Sequence, residues 1–320
     1  MSPHSIIVST GGYLPERVVT NADLAQQIST TDEWITTRVG IKERRFVVEG
    51  EMTSDLGAKA CKDALKTANM AADEIDLIVV ATTTADHTFP STATIIQHKI
   101  GATKAFAFDV QAVCSGFLYA LSVADSMIKS GQVKTALVVG AETMSRLVDP
   151  QDRSTAVIFG DGAGAVILTA ATEQDGRGIL STHLFSDGSY KDLLYVKGGP
   201  GSGEFGYMYM AGREIFKLAV EKLGAAIQEA LTHNNLSKED IDWFVPHQAN
   251  YRIISSLADH LKLPSEKVVI TIDTHGNTSA ASIPLALHTA VTDGRIKKGD
   301  LLVFEAMGGG LTWGSALVRW

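Results

Sequence analysis

Short hydrophobic runs and longer amphipathic segments take turns along this chain. Runs of four apolar residues stand at positions 77–80, 136–139 and 301–304, and their length and character are those of a buried strand. Between such runs, apolar positions recur every three or four residues, for example across positions 55–65 and 115–130, as in a helix with one buried face. Strands that alternate with helices in this way predict an α/β fold built in layers, with a mostly parallel sheet.

The same pattern occurs twice in the chain. The segment DEIDLIVV, which begins at Asp73, is echoed by EDIDWFVP, which begins at Glu239, and two later strand-like segments are echoed in the same order. Three matches in one order indicate a duplication more strongly than chance similarity between generic α/β segments. We therefore divide the chain into halves of residues 1–172 and 173–320, with the seam in the polar, glycine-containing stretch 171–178.

Composition narrows the class of protein. With 45% hydrophobic and 20% charged residues among 320, the chain is that of an ordinary globular protein. The net charge of −8 and the lack of a Lys/Arg-rich block argue against a nucleic-acid partner, and no apolar run is long enough to span a bilayer. We see no secretory signal in the sequence. Two cysteines exclude a disulfide framework and an all-cysteine zinc site, so we expect no metal and a reducing cytoplasmic location.

Cys114 is the candidate nucleophile. It follows the alternating segment 104–110, which predicts a strand, and precedes the helix predicted over residues 115–130. Free backbone N–H groups and partial positive charge at a helix N-terminus stabilise a thiolate, which can attack a thioester. Taken alone, a cysteine in an apolar segment is more often structural. We assign that role to Cys61, which lies inside an amphipathic helix with no activating group nearby.

His247 and Asn277 occupy similar places in the second half. Each follows a predicted strand and precedes a predicted helix, and we expect Pro284 to kink the helix after Asn277. In the duplication, residues 277–279 match the position of Cys114. All three candidates therefore lie at the carboxyl ends of strands, where open α/β sheets bind their ligands.

Spacing alone leaves other roles open. A surface loop suits His247, a helix cap suits Asn277, and His87 and His275 have equally plausible loop positions. Carbon–carbon bond formation explains why cysteine, histidine and asparagine would converge. A thiolate captures an acyl group, a second thioester becomes a carbanion by losing CO2, and the charge on its oxygen needs neutral donors in a dry site. An imidazole N–H and a carboxamide N–H supply two such donors.

These segments resemble the β-ketoacyl-acyl-carrier-protein synthase III family, whose thiolase-like fold consists of two duplicated α/β halves packed as five layers (αβαβα). The resemblance covers almost the whole chain, and its motifs are Gly11-Gly-Tyr-Leu-Pro, Thr31-Asp-Glu-Trp-Ile, Arg38-Val-Gly-Ile, Val113-Cys-Ser-Gly-Phe, Phe159-Gly-Asp-Gly-Ala-Gly, Val245-Pro-His-Gln-Ala-Asn, His275-Gly-Asn-Thr-Ser-Ala-Ala-Ser, Gly308-Gly-Gly and Thr312-Trp-Gly-Ser-Ala-Leu-Val-Arg.

The resemblance implies an enzyme that starts type II fatty-acid biosynthesis. It would condense a short acyl-CoA primer, acetyl-CoA in our expectation, with malonyl-acyl-carrier protein and release CoA, CO2 and a 3-oxoacyl product. No cofactor is implied, because the CoA thioester is itself a substrate. The resemblance further implies a homodimer, in which Phe89 of one subunit reaches the acyl pocket of the other.

Residue by residue, the resemblance makes Cys114 the acylated nucleophile and gives His247 and Asn277 the decarboxylation step. The backbone N–H groups of Cys114 and Gly309 would form an oxyanion hole. Flat aromatic and guanidinium faces suit the adenine of CoA. The implied binding residues are Trp34, Arg38, Arg153, Thr30, Gly212 and Asn250 for CoA; Phe89 and Met307 for the acyl pocket; and Lys217, Gln248, Ala249, Asn250, Tyr251 and Arg252 for the carrier protein.

Three local features qualify this picture. Met307 stands where many members of the family have phenylalanine, and its flexible thioether would loosen the acyl pocket. Asp259 and His260 stand where some members carry paired lysines, which weakens the basic face expected for an acidic carrier protein. The glycine-rich segment 160–164 precedes a predicted strand instead of following one, so we predict a turn there and no dinucleotide site.

Other functions stay open. An acyltransferase of the same fold could move the acyl group to an O or N acceptor without decarboxylation. A degradative thiolase is disfavoured because it needs a second catalytic cysteine late in the chain, and none follows Cys114. A thioesterase would need an activated water near the acyl-cysteine, and a non-enzymatic subunit should have lost the nucleophile. The sequence does not specify the length or branching of the primer.

Overall fold

The computed structural model describes residues 4–171 and 176–320. The predicted boundary between residues 172 and 173 lies outside the described residues. The first half supplies strands β1 (His4–Tyr13), β2 (Arg17–Thr20), β3 (Glu43–Phe46), β4 (Leu77–Ala81), β5 (Phe106–Val110), β6 (Thr135–Thr143) and β7 (Asp161–Ala171), and helices α1 (Asn21–Ala25), α2 (Asp32–Val39), α3 (Thr53–Ala68), α4 (Thr92–Ile100), α5 (Gly116–Lys129) and α6 (Arg153–Ala156).

The second half is built to a similar plan. Its elements are strands β8 (Gly178–Ser186), β9 (Leu194–Gly199), β10 (Glu204–Met210), β11 (Trp243–Pro246), β12 (Leu301–Gly308) and β13 (Thr312–Arg319), and helices α7 (Gly212–His233), α8 (Tyr251–Leu261), α9 (Ile272–His275) and α10 (Ser282–Thr292).

The two main sheets have the same strand order. The first runs β1-β7-β6-β4-β5, and the second runs β8-β13-β12-β11. The second sheet lacks a full counterpart of β5: the strand predicted before Asn277 is reduced to one parallel bridge between Phe244 and Val268. Matching strand orders are what a duplicated α/β unit produces.

The prediction of a mostly parallel sheet was wrong. β4 pairs in parallel with β5 and β6, and β11 with β12, but β1, β7, β8 and β13 enter their sheets antiparallel to their neighbours. Only residues 309–311 separate β12 from β13, and so short a connection can join only antiparallel strands. Strand-like patterning carries no direction, so the sequence could not distinguish the two arrangements.

The sheets lie face to face with two helices between them. Side chains of α5 and α10, among them Phe117 and Leu287, form one hydrophobic cluster with Val138 of the first sheet and Phe304 of the second. Helices α3 and α4 cover the outer face of the first sheet, and α7 and α8 cover the second. The result is the five-layer αβαβα arrangement that was expected. Each fully buried aliphatic or aromatic side chain in these layers stabilises the fold by about 1.5–3 kcal/mol.

The two inner helices begin in the same way. A 3₁₀ turn at Val113–Ser115 leads into α5, and another at Ser279–Ala281 leads into α10. Helix α5 agrees with the predicted range of 115–130. Pro284 is the third residue of α10, in the first turn, where the missing N–H has no helical partner to lose. The physical reason for a kink at Pro284 is therefore gone.

Candidate active site

Cys114 sits on the strained turn that opens α5. The preceding residue, Val113, has a φ of 50°, a left-handed conformation that is costly for a β-branched side chain. The thiol is free and only 6% exposed, at the N-terminal end of the buried helix. Burial raises the pKa of the Cys114 thiol to about 12, while the Ser279 hydroxyl and the cysteine's own backbone N–H act in the opposite direction. The thiol is therefore protonated at neutral pH before it reacts and needs a proton acceptor.

The glycine run after β12 lies directly against this turn. A Cβ on Gly308 would lie 2.7 Å from both the carbonyl oxygen of Ala112 and the backbone nitrogen of Cys114, so only glycine permits the approach. Thr312, which follows the glycine run, donates its hydroxyl to the Ala112 carbonyl at 2.9 Å and so holds this segment against the turn. The two segments that carry the predicted oxyanion donors, Cys114 and Gly309, are thereby held next to each other.

His247 is the first residue after β11 and is 4% exposed. Its backbone N–H donates to the carbonyl of Glu305 at 2.8 Å, and its Nδ1 lies 2.5 Å from the hydroxyl of Ser282. That hydroxyl also accepts the backbone N–H of Gln248 at 3.3 Å, which favours Ser282 as the donor to Nδ1. The hydrogen of the imidazole then resides on Nε2. Burial lowers the pKa of His247 to about 3, so the ring is a neutral donor at neutral pH.

Asn277 is held by backbone hydrogen bonds on both sides. Its N–H donates to the carbonyl of Ile158 at 2.9 Å, and its own carbonyl accepts the N–H of Gly160 at 3.0 Å. Its side-chain oxygen accepts the N–H of Ser279 at 2.9 Å. Because the amide oxygen is engaged, the NH2 group of this side chain, which is 5% exposed, is the end available as a donor. Asn277 and His247 thus each present an N–H group.

The turns that precede the two inner helices are related by pseudo-symmetry and pack against each other. Ser279 has a φ of 50°, the same value as Val113, and each opens a 3₁₀ turn before an inner helix. The counterpart of Cys114 is therefore Ala280, one residue beyond the range 277–279 that was predicted to match it. The two turns contact each other, and Ser279 reaches Cys114. His275 and His87 do not share the hydrogen bonds of this cluster: His275 is half-buried at the end of α9, and His87 lines a separate groove.

Two further polar residues of the cluster, Glu142 and Ser282, were missed from the sequence. Glu142 ends the apolar run of β6, is fully buried, and has a pKa raised by burial to about 7. Ser282 is the first residue of α10. An acidic residue that closes an otherwise apolar strand was a usable signal for Glu142, because a buried carboxylate is costly unless it is satisfied. A serine near a helix start gives no comparable signal.

Three of the residues predicted for CoA, Trp34, Arg38 and Arg153, lie together at α2. The guanidinium carbon of Arg153 lies 4.5 Å from the ring centre of Trp34, and that of Arg38 lies 5.5 Å from it. Two stacked contacts of about 3.5 Å each would be needed to insert a purine, so Arg153 must move outwards for a sandwich to form. Thr30 has a buried hydroxyl without a hydrogen-bond partner, Asn250 caps α8, and Gly212 opens α7. Their binding roles stay predictions.

The predicted carrier-protein face is only partly exposed. Tyr251 is 48% exposed, and the guanidinium of Arg252 stands 5.9 Å from the ring centre of Phe216, one residue before Lys217. Gln248 does not belong to this face. Its side chain is 1% exposed, donates to the carbonyls at positions 246 and 269, and accepts the N–H groups at 271 and 272. Four internal bonds leave no polar atom of Gln248 for a partner; Ala249 and Asn250 are half-buried beside it.

The two residues predicted for the acyl pocket differ in solvent exposure. Met307 is 8% exposed and immediately precedes the glycine run, whereas Phe89 is 83% exposed. Thr88, beside Phe89, lines a groove of about 920 Å³ between the loop after β4 and the β9–β10 hairpin.

Segment 160–164 is not a turn as predicted, since β7 begins at Asp161 and includes both later glycines. Among the described residues, no cluster of His, Cys, Asp and Glu is placed to hold a metal ion, and no helix is long and apolar enough to cross a bilayer.

Comparison with known proteins gives a consistent answer over the full chain. Residues 108–188 match the family model of 3-oxoacyl-[acyl-carrier-protein] synthase III, and residues 231–320 match that of its C-terminal part. A β-ketoacyl-[acyl-carrier-protein] synthase III of Paramagnetospirillum magneticum is 59% identical over 100% of both chains, and one of Ehrlichia canis is 58% identical over 98% of this chain and 99% of its own.

Solved structures of the same family superpose on almost the whole chain. The crystal structure of a 3-oxoacyl-[acyl-carrier-protein] synthase III from Aquifex aeolicus superposes with a TM-score of 0.94 at 49% identity, covering 99% of this chain and 100% of that one. A Thermus thermophilus structure of the same description gives a TM-score of 0.93 at 45% identity over 98% of both chains.

Proposed function

The chain belongs to the 3-oxoacyl-[acyl-carrier-protein] synthase III family, and we propose that it carries its primer acyl group on Cys114 and uses His247 and Asn277 for decarboxylation. It is a condensing acyltransferase that initiates fatty-acid biosynthesis. The proposal concerns which residues perform each half-reaction, which primer is used and how the subunits assemble.

The first half-reaction transfers the acyl group. The thiolate of Cys114 attacks the thioester carbonyl of acyl-CoA, an S–C bond forms, and the bond to the CoA sulfur breaks. The tetrahedral oxyanion would be held by the backbone N–H groups of Cys114 and Gly309. The close contact of Gly308 with the Cys114 nitrogen supports this pairing, because it places the two backbone segments side by side.

The second half-reaction forms the carbon–carbon bond. Malonyl-carrier protein loses CO2, and the electron pair of the broken C–C bond becomes an enolate whose oxygen accepts from Nε2 of His247 and Nδ2 of Asn277. The carbanion carbon then attacks the acyl carbonyl on Cys114, and the cysteine sulfur leaves. A neutral imidazole suits this task, because it stabilises the oxygen without acting as a strong acid that would quench the carbanion.

One observation carries the assignment. Oδ1 of Asn277 is occupied by the Ser279 N–H, and Nδ1 of His247 lies against the Ser282 hydroxyl, an arrangement that favours both side chains as donors. A nucleophile accompanied by two neutral donors supports condensation over acyl transfer to an alcohol or amine. That alternative would gain from a base near the acceptor, and His247, with a pKa lowered to about 3, is a poor one.

We further propose a short straight-chain primer, acetyl-CoA, and a homodimer in which Phe89 reaches the partner's acyl pocket. The exposure of 83% at Phe89 is compatible with the second point, because it leaves the ring free to contact a partner subunit. No cofactor is required, since thioester exchange and loss of CO2 supply the whole reaction. The two buried free thiols suit a reducing compartment such as the cytoplasm.

The test follows the mass of the intact protein in two steps. Incubation with acetyl-CoA should add one acetyl group, which malonyl-carrier protein should then remove as a 3-oxoacyl-carrier product with release of CO2. Loss of the acetyl group to water would indicate a thioesterase, and its transfer to an added alcohol or amine, without CO2 release, would indicate the alternative acyltransferase. A chain that never gains the acetyl mass would refute the proposal.

A further inference from the structure

A fully buried carboxylate stands behind the nucleophile, one hydroxyl away. The Ser279 hydroxyl donates to Oε1 of Glu142 at 3.2 Å, and the turn that begins at Ser279 packs against the turn that carries Cys114, whose pKa this hydroxyl lowers. The three residues come from β6, the turn before α10 and the turn before α5. The Ser279 hydroxyl therefore stands between the turn that carries Cys114 and the carboxylate of Glu142.

Glu142 is arranged as an acceptor on both of its oxygens. The backbone N–H of Thr83 donates to both, at 3.2 and 3.1 Å, and the Thr83 hydroxyl donates to Oε1 at 3.2 Å. The hydroxyls of Thr84 and Thr82 donate to Oε2 at 2.5 and 3.4 Å. So many donors fit an ionised carboxylate. No lysine, arginine or histidine hydrogen-bonds it among residues 4–171 and 176–320, so the charge has no ion-pair partner.

We propose that Glu142 receives the proton of the Cys114 thiol through the Ser279 hydroxyl during acyl transfer, holds it in the acyl-enzyme, and returns it when the product leaves. The proposal rests on the proposed function, since it assigns the proton of that same nucleophile. Ser279 touches the reacting sulfur and is a catalytic residue in this scheme, and Glu142 acts through it as the proton reservoir.

The step balances in atoms and charge. The S–H proton of Cys114 passes to the Ser279 oxygen while the Ser279 O–H proton passes to Oε1 of Glu142, which becomes neutral as the thiolate forms. The thiolate takes the acyl group, and CoA departs as a thiolate that gains a proton from solvent. When condensation expels the Cys114 sulfur, the same path runs in reverse, and Glu142 regains its charge.

His247 cannot take this proton as readily. In the tautomer that the Ser282 contact favours, Nδ1 accepts from Ser282 and Nε2 carries the hydrogen, so neither ring nitrogen has a free lone pair. Protonation would also create a buried imidazolium without a carboxylate partner, which is costly. Proton transfer to Glu142 creates no additional charge. The negative charge moves from the carboxylate to the sulfur of Cys114, so the cluster carries one negative charge before and after the transfer.

The pH dependence of acylation should reveal this acceptor. Burial raises the pKa of Glu142 to about 7, so the ionised, accepting form grows as pH rises through about 7. Other titratable groups lie on the elements packed around Glu142. A pH dependence that disappears in Glu142→Gln therefore belongs to Glu142 and not to these neighbours. These groups are Cys114 before α5, Asp86 on the loop after β4, Asp109 in β5, Asp161 in β7, and Asp55 of α3 with its ion-pair partner Lys99.

The experiment compares single-turnover rates of the two half-reactions. Glu142→Gln should slow acylation by acetyl-CoA at least about 100-fold and abolish its rise with pH through about 7, since a positioned base contributes about 100- to 10,000-fold. Ser279→Ala should act in the same direction. Once the acyl-enzyme has formed on prolonged incubation, the release of CO2 from malonyl-carrier protein by Glu142→Gln should stay within a few-fold of wild type, because decarboxylation moves no proton along this path. Ser122→Ala, a helical hydroxyl bonded to Thr182, is the matched control and should leave both rates unchanged.

A second measurement uses the unaltered enzyme. Infrared difference spectra on acetylation should show the C=O stretch of a newly protonated carboxyl, which Glu142→Gln should lack. Equal losses in both half-reactions, an unchanged pH profile, or no carboxyl band in an acetylated wild type would each overturn the relay. Failure of wild type to become acetylated would instead refute the proposed function, so the two failures are distinguishable.

Discussion

The Ser282 hydroxyl, 2.5 Å from Nδ1 of His247, joins the start of α10 to the end of β11 across 35 residues of sequence. As the donor in this contact, Ser282 favours the hydrogen on Nε2, where His247 can donate it to an enolate oxygen. The role proposed for His247 thus depends on a residue of the neighbouring helix as well as on its own position.

Ser282→Ala should therefore impair decarboxylation selectively. Without the hydroxyl, Nδ1 can hold the hydrogen and Nε2 becomes an acceptor, which forfeits a donor worth about 100- to 1,000-fold. We expect CO2 release from malonyl-carrier protein to fall by at least about 10-fold, since both tautomers remain accessible, while acylation by acetyl-CoA stays near wild type. Ser282→Thr keeps a hydroxyl and should restore most of the lost rate. Equal losses in both half-reactions, with no recovery in the threonine variant, would exclude the tautomer argument.

The two cysteines should behave differently on substitution. Cys114→Ser should abolish accumulation of an acyl-enzyme, because a serine hydroxyl lacks the acidity and nucleophilicity of a thiol. Cys61→Ser should leave acylation nearly intact at a temperature where the fold persists, since Cys61 is buried inside α3 far from the cluster. Intact-mass analysis after incubation with acetyl-CoA checks both. A Cys114→Ser protein that acquired the acetyl group at the normal rate would contradict the assignment.

The motif residues could be predicted from the sequence, whereas their supporting partners could not. Cys114, His247 and Asn277 each follow a strand-like segment, and the ends of neighbouring strands meet at one edge of a sheet. Ser279 and Glu142 are 137 residues apart and become neighbours only through packing of the inner helices against β6. For Gln248 the sequence prediction was wrong. Its motif position predicted contact with the carrier protein, but its side chain makes four internal hydrogen bonds that connect neighbouring backbone segments.

The direction of β7 and β13 was also beyond the sequence. Alternation and apolar runs identify a strand without indicating which way it runs. The antiparallel placement follows from loop lengths and from which neighbours each strand meets, and neither is encoded in the strand itself.

Asn277→Asp provides a test of charge at the enolate site. Aspartate keeps the size and an oxygen to accept from the Ser279 N–H, but it replaces the free NH2 with an acceptor that repels the enolate. Decarboxylation should fall by about 100- to 1,000-fold or more, and acylation much less. Single-turnover release of CoA and of CO2 separates the two effects. If acylation fell as far as decarboxylation, Asn277 would be structural rather than a donor.

Phe89 should mark the subunit interface. Light scattering at micromolar concentration should report twice the mass of one chain, because the proposed arrangement places Phe89 in the acyl pocket of a second subunit. Phe89→Ala should relax primer selection if the ring closes the partner's pocket, and Phe205→Ala, an equally exposed phenylalanine in β10, is the comparison. A monodisperse and fully active monomer would rule the arrangement out.

Primer length should depend on Met307. This residue is buried next to the glycine run that contacts the nucleophile turn, so a change in its shape is felt close to the acyl group. We expect acetyl-CoA to be used well, but the flexible thioether can yield space to longer or branched chains. One methylene in an apolar pocket is worth roughly 1–3 kcal/mol of discrimination, so a single side chain can shift the preference substantially.

The measurement is kcat/KM for acetyl-, butyryl-, isobutyryl- and octanoyl-CoA at a fixed malonyl-carrier concentration. Met307→Phe should move the preference towards acetyl-CoA, and Met307→Leu, which preserves volume, should change it little. A wild-type preference for octanoyl-CoA of more than about tenfold, equivalent to about 1.4 kcal/mol, would exclude the short primer.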